Sequence, residues 1–262
     1  MPLLNNFALD YGLKSGHLDY GKFIILGRSR SGSNLLRGLL NSHSQITVYG
    51  EIFQNKKSIG WALSGYRQNP KMMDEFLHQP VNFINTKVFH KFPAEIKAVG
   101  FKIFYYHAHD DEWEPVWQYL IENKELAVIH IKRRNILKTH LSRLRAVQND
   151  KWVNTSGEYE ENPPLTIDYE QCLEDFITTR ASEDKYDRLF QDHPMMGIYY
   201  EDLARDYQLV MDQVQSFLGV DHQQLTPETF VQSVQPLSAA ITNYDELKTR
   251  FYGTPWEEFF EE

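Results

Sequence analysis

The chain has 262 residues, enough for one large domain or two small ones, and its 42% hydrophobic and 24% charged residues, with 14 Gly and 11 Pro, exclude collagenous, low-complexity and disordered classes. Lys plus Arg number 27 against 36 Asp plus Glu, a net charge of −9, which argues against a protein that coats nucleic acid or anionic membrane but leaves room for a local basic pocket. A single cysteine, Cys172, excludes an intrachain disulfide and a cysteine-built zinc site.

No repeat recurs at a fixed period. No positively charged segment precedes Lys14, and no apolar run approaches the roughly 18 residues of a membrane span, so a soluble cytoplasmic protein is expected. In chain order, Lys22 to Gly27 (KFIILG) reads as a buried strand, and Ser33 to Ser42 places Leu35, Leu36, Leu39 and Leu40 at helical spacing. Val99 to Tyr105 reads as another strand, Trp113 to Asn123 a helix, and Leu126 to Ile131 (LAVIHI) a strand running into the helical stretch Asn135 to Val147. The polar segment 148–168, with Gly157, Pro163 and Pro164, is expected to be a lid or acceptor loop. Beyond it come a long amphipathic helix from Glu170 to Gln191, a strand from Met195 to Tyr200, and one helix from Glu201 to Leu218 closing at Gly219. Strands alternating with helices predict an α/β fold, a three-layer α/β/α sandwich around a central parallel sheet in one domain spanning residues 1–262. Ligands of such folds bind at the carboxyl ends of the strands.

The turn after the first strand, Gly27-Arg28-Ser29-Arg30-Ser31-Gly32-Ser33, frames four residues between two glycines, a P-loop-like layout that aims backbone N–H groups and a helix N-terminus at an anion. A nucleoside-triphosphate loop continues with Lys and Ser or Thr, for the phosphates and Mg²⁺; here Ser33 and Asn34 follow and the basic residue, Arg30, lies inside the loop. This disfavours a magnesium-dependent kinase.

The run RSRSGSNLLRGLLNSHSQITVYGE, residues 28–51, resembles the 5′-phosphosulfate loop of sulfotransferases that use 3′-phosphoadenosine 5′-phosphosulfate (PAPS), especially the tyrosylprotein and bacterial carbohydrate branches. The resemblance implies that Arg30 contacts the phosphosulfate and steadies the leaving phosphate, that Arg28, Ser29, Ser31, Gly32, Ser33 and Asn34 belong to the cofactor site, and that the product is 3′-phosphoadenosine 5′-phosphate (PAP). A second anion site, for the 3′-phosphate, is expected where LAVIHI runs into Lys132-Arg133-Arg134-Asn135; Ser142 lies eight residues after Arg134, about two helical turns on. Arg134 and Ser142 match the family's Arg and Ser at that spacing. Ile198 to Val220 resembles the family's Y-E-D-L stretch ending in F-L-G and implies Tyr200 near the adenine. The tail 221–262 is expected to close over the cofactor, although it lacks the R-K-G triplet of cytosolic relatives.

Sulfuryl transfer needs in-line attack, charge stabilisation on the leaving oxygen and removal of a proton from the acceptor. Glu51 falls where the tyrosylprotein branch has its catalytic glutamate, just past the second strand, and Lys102 resembles the transition-state lysine on the strand facing the cofactor. Small-molecule sulfotransferases carry a histidine base two residues after that lysine, where this chain has Phe104; His107 is therefore the runner-up base. His107, His109, Asp110 and Asp111 without a distant ligand are a weak metal pattern, and no metal is expected. The expected activity is sulfuryl transfer to a hydroxyl or amino group of a small-molecule or sugar acceptor, neutral or cationic, with the aromatic stretch Phe53 to Phe92 and Trp152 as candidate pocket walls, although Trp61, Tyr66 and Phe76 read equally well as core. No nucleic-acid or membrane partner is expected. A non-catalytic nucleotide or phosphate binder on the same fold is the alternative; it would need both anion turns but neither Glu51 nor Lys102.

Overall fold

The computed structural model describes residues 16–62, 68–149, 162–228 and 235–261. Its elements are β1 (Gly21–Gly27), α1 (Ser33–Asn41), β2 (Ile46–Glu51), α2 (Pro70–His78), α3 (Pro80–Phe83) running into a π-helical turn (Ile84–Val88), β3 (Ala98–Phe104), α4 (Glu114–Glu122), β4 (Ala127–Lys132), α5 (Ile136–Asn149), α6 (Tyr169–Leu189), β5 (Met195–Tyr199), α7 (Tyr200–Arg205), α8 (Tyr207–Leu218), α9 (Leu237–Ala240) and α10 (Tyr244–Phe251). The strands form a five-stranded parallel sheet in the order β2-β3-β1-β4-β5. From central β1 the chain passes outward to β2, returns to β3 and then crosses to β4. The carboxyl end of β1 is thus a topological switch point, where ligands of open parallel sheets bind.

Both faces of the sheet are covered, which is why its strands read as continuous apolar runs rather than alternating ones. Ile24 and Leu26 of β1 point into a core with Phe53, Phe76, Trp113 and Tyr186, whereas Phe23 and Ile25 point into a core with Leu36, Leu39 and Leu40 of α1 and Met211 and Val214 of α8. These two layers and the sheet between them make the expected three-layer α/β/α fold. A third cluster joins α5 and the first half of α6 to the C-terminal segment, through Leu137, Phe176, Leu247, Phe251, Phe259 and Phe260.

Three details differ from the sequence reading. The stretch after β5 is two helices, because Asp206 leaves helical geometry (φ −149°) and its side chain accepts the Leu209 N–H at 3.1 Å, capping α8. Glu51 is the last residue of β2, opposite Lys102, beyond a bulge that shifts the register after Tyr49. The aromatics Phe53, Trp61, Phe76, Phe83, Phe89 and Phe92 are core, mutually packed beneath β2 and β3 with Trp113, so they wall no acceptor pocket. Tyr66, Trp152 and most of the expected lid, residues 150–161, lie outside the described residues, as do tail residues 229–234 and 262. No helix among the described residues is long and apolar enough to cross a membrane.

Candidate active site at the strand ends

The loop between β1 and α1 turns on two left-handed residues, Arg30 (φ 68°) and Gly32 (φ 90°). Gly32 is required twice over, since its φ disfavours a side chain and a Cβ there would sit 2.3 Å from Cδ2 of Tyr200. The Tyr200 ring therefore lies directly on the loop glycine, with the guanidinium of Arg133 stacked 4.7 Å over it. Arg133 also donates to the Arg30 carbonyl at 3.3 Å. Ser31 is buried and donates to the Arg28 carbonyl at 2.8 Å; Ser33, buried, opens α1. The Ser29 N–H donates to the Tyr106 hydroxyl at 3.3 Å.

Arg30 donates from Nε to Ser142 Oγ on α5 at 2.8 Å, which brings the loop and the second basic turn together. Burial and the like charge of Arg133 push the Arg30 pKa down to about 10. Arg134 is placed differently: 49% exposed, it stacks on Tyr199 at 4.2 Å and pairs with Asp202 at 2.5 Å. Ser142 is thus bonded to Arg30 rather than to Arg134. Glu201 accepts the backbone N–H groups of Arg134 (3.1 Å) and Asn135 (3.4 Å), so a carboxylate already sits at the positive end of α5. Arg28 reaches away from the loop to α6, donating to Thr179 Oγ1 and pairing with Asp175 at 3.0 Å. Asp175 also pairs with Arg143 at 2.7 Å and accepts from His140 at 3.0 Å. This anchor was not legible, because its members lie 147 residues apart along the chain.

On the other side of the loop, Lys102, only 2% exposed, donates to Asn34 Oδ1 at 2.5 Å and to Glu51 Oε1 at 3.0 Å. Burial lowers the Lys102 pKa, while the adjoining Glu51 carboxylate opposes that fall. The amide that stands where a triphosphate loop has its metal-binding hydroxyl therefore orients the buried lysine. Asn34 comes from the start of α1, Glu51 from the end of β2 and Lys102 from β3, so three elements converge beside the loop.

His107 points its Nε2 at Glu51 Oε2 across 3.9 Å, and its Nδ1 accepts the Phe104 N–H at 3.2 Å. With Nδ1 an acceptor, the single hydrogen of the neutral ring lies on Nε2. Burial pushes its pKa down to about 4, so the ring is neutral at physiological pH and presents a donor to the carboxylate. His109 faces elsewhere, donating to the Tyr105 carbonyl at 2.6 Å. The C-terminal segment reaches the second turn through Asn135 Nδ2, which donates to the Phe259 carbonyl at 3.0 Å.

Residues 21–250 match the sulfotransferase domain family model. The chain is 27% identical over 250 residues to nodulation protein H of Rhizobium tropici, covering 91% of this chain and 92% of that protein. It is 26% identical over 249 residues to nodulation protein H of Rhizobium meliloti, covering 91% and 94%. Among solved structures, a sulfotransferase from Alicyclobacillus acidocaldarius aligns with a TM-score of 0.48 at 14% identity, over 88% of this chain and 91% of that one. The mouse sulfotransferase SULT7A1 complexed with PAP aligns with a TM-score of 0.42 at 13% identity, over 98% and 92%. The matched span takes in the glycine loop, Glu51, Lys102 and both basic turns, and the chain belongs to the sulfotransferase family.

Proposed function

We propose that the protein transfers a sulfuryl group from PAPS to a hydroxyl or amino group of a small-molecule or sugar acceptor, with Glu51 as the general base. The observation that carries this reading is the buried ammonium of Lys102, held between Glu51 and Asn34 where the strand ends meet the loop. A lysine that is 2% exposed is costly to keep charged, and a site that only bound phosphate would have no use for the acid–ammonium pair beside it.

The residues fit the donor's chemistry. Arg30 and the loop amides suit the 5′-phosphosulfate; Gly32, lacking a Cβ, makes room for the Tyr200 ring against the loop. Arg133 keeps a buried Nε that has no hydrogen-bond partner among the described residues, with Glu201 3.9 Å away. Arg134 and Ser142 are the candidates for the 3′-phosphate, and Tyr200 for the adenine. PAPS, when bound, supplies the activated sulfuryl group. Glu51, 23% exposed, takes the acceptor's proton on the oxygen not committed to Lys102. Lys102 and Arg30 lend positive charge on either side of the reacting centre, where negative charge builds. His107 is not the base, given its hydrogen-bonded Nδ1 and a pKa near 4; its neutral ring lies beside Glu51, with Nε2 3.9 Å from Oε2.

Calorimetric titration with PAP, 5′-AMP and ATP tests the donor, and ³⁵S-labelled PAPS offered with uncharged sugars, phenols and primary amines tests the reaction. Tight PAP binding that depends on the 3′-phosphate, with label passing to an acceptor in the wild type but not in Glu51→Ala, is expected. Equal binding of AMP and ATP overturns the donor assignment; PAP binding without transfer to any acceptor class leaves a nucleotide binder.

A further inference from the structure

Arg37 is the one basic residue in the apolar helix SNLLRGLLN. It lies three residues after Asn34, on the same side of α1 as the amide that holds Lys102. Its Nη1 donates to the carbonyl of Ala62 at 2.9 Å. Ala62 has φ 51°, a left-handed conformation that costs an alanine on the order of 1 kcal/mol and persists only where its surroundings hold it.

What Ala62 touches gives that hydrogen bond its meaning. The chain after Glu51 folds back, so that the Trp61 carbonyl accepts the Gly50 N–H at 2.7 Å and the Ile52 carbonyl accepts the Gly60 N–H at 3.4 Å. The contact is so close that a Cβ on Gly50 would lie 2.5 Å from the Ala62 Cβ, and a Cβ on Gly60 would lie 2.0 Å from the Glu51 carbonyl oxygen. Both backbones are stacked on the residue that ends β2, immediately past the bulge that turns Glu51 towards Lys102. Burial lowers the pKa of the half-buried Arg37 guanidinium, and the carboxylates of Glu228 and then Glu51 oppose that fall.

We infer that Arg37 is a positioning residue for sulfuryl transfer, clamping the segment 60–62 against Gly50 through the Ala62 carbonyl and so fixing the Glu51 carboxylate against Lys102. This rests on the reading of Glu51 as base. A displacement of about 1 Å at a reacting group can cost on the order of 100-fold in rate, so a clamp remote from the donor has a large kinetic consequence without contributing to donor affinity. Lysine preserves the charge and one donor; glutamine preserves neither the charge nor the reach.

The test uses the full chain as wild type, Arg37→Gln, Arg37→Lys and Glu51→Gln. Hydrogen exchange is read at the Gly50 amide and, as control, at the β1 amides of Phe23 to Leu26. Turnover is read as sulfate released from ³⁵S-PAPS to water, and donor affinity as calorimetric PAP binding. Arg37→Gln should speed Gly50 exchange by on the order of tenfold with β1 unchanged, and lower kcat by roughly 10- to 100-fold with PAP affinity intact. Arg37→Lys should recover most of both. Unchanged Gly50 exchange, or a PAP affinity that falls in step with kcat, overturns the inference while an inactive Glu51→Gln leaves the base assignment standing. A fully active Glu51→Gln overturns the base assignment and this inference together.

Discussion

Replacing Glu51 by Gln removes a carboxylate oxygen that holds an ammonium only 2% exposed, so its effect on stability can be worked out separately from its effect on chemistry. Breaking a buried ion pair by removing one partner costs about 3–5 kcal/mol, because the other charge is left uncompensated. Lys102 would keep Asn34 Oδ1, and Glu51 borders solvent, so the lower end, about 3 kcal/mol, is expected for Glu51→Gln. The alternative open to the lysine is to lose its proton. From an ordinary value of 10.5 that costs roughly 5 kcal/mol at pH 7, which sets a ceiling. The folded-state pKa of Lys102 is lowered, so the unfolded chain binds more protons below 10.5 and stability rises with pH there; in Glu51→Gln that rise between pH 7 and 10 should be steeper than in wild type. Glu51→Gln combined with Lys102→Met exchanges the pair for uncharged groups of similar size. It should return to within about 1 kcal/mol of wild type while remaining inactive. Urea unfolding followed by circular dichroism, with the slope unchanged and the midpoint displaced, measures all three. A Glu51→Gln protein as stable as wild type, or a double variant no more stable than the single one, refutes the account of Lys102 as a charge held by Glu51.

Arg30→Ala should depress turnover by orders of magnitude, whereas Arg134→Ala should mainly weaken PAP binding, by about tenfold for one charge-assisted contact; equal effects on kcat and affinity in both variants would erase the distinction between the two turns. Gly32→Ala should cost at least about 1–2 kcal/mol from its left-handed φ alone, and more from the clash with Tyr200, so Gly32→Ala with Tyr200→Ala should recover only part of the loss in Tm. Burial holds both His107 and His130 near pKa 4, below the ordinary 6.5. The stability each contributes is therefore complete above pH 6.5 and falls away by roughly 3 kcal/mol as the pH drops towards 4; a stability–pH curve in that window that is no flatter for His130→Gln than for wild type would contradict this.

The parts of the fold and site that were legible are those written in local pattern. KFIILG and LAVIHI read as buried strands because both faces of a parallel sheet are covered, and RSRSGS reads as a loop because only glycine suits the position under Tyr200. Glu51 and Lys102 could be named from the resemblance, but not the hydrogen bonds that join them, since register between β2 and β3 depends on a bulge the sequence does not announce. Asp206, a capping residue three before Leu209, breaks the helix before α8, but the apolar spacing continues through it and masks the break. The aromatics between Phe53 and Phe92 carry no mark that separates a pocket wall from a core; only their packing on Trp113 decides it. Arg28 looked like a loop ligand because of where it stands in the chain, and its pairing with Asp175 is a contact between elements that no local pattern encodes.

A chain of net charge −9 that gathers arginine and lysine at its strand ends must hold those cations somehow before any donor arrives, and it does so unevenly. Asp175 takes Arg28 and Arg143, Asp187 takes Lys132, and Asp202 takes Arg134, each carboxylate coming from α6 or α7. For these side chains an incoming phosphate competes with an anion already in place; the hydrogen bond that Arg134 donates to Asp202 raises the Arg134 pKa. Arg30, Arg133 and Lys102 lie on the opposite side of that balance, since burial pushes all three pKa values down and Arg133 adds like-charge repulsion to Arg30. A cation whose charged form is disfavoured gains most when an anion is brought to it. Under the proposed function, the strongest attraction for a phosphosulfate is therefore expected at Arg30, at the Arg133 guanidinium over Tyr200 and at Lys102, while the exposed and neutralised Arg134 is expected to select a second phosphate rather than to drive the chemistry.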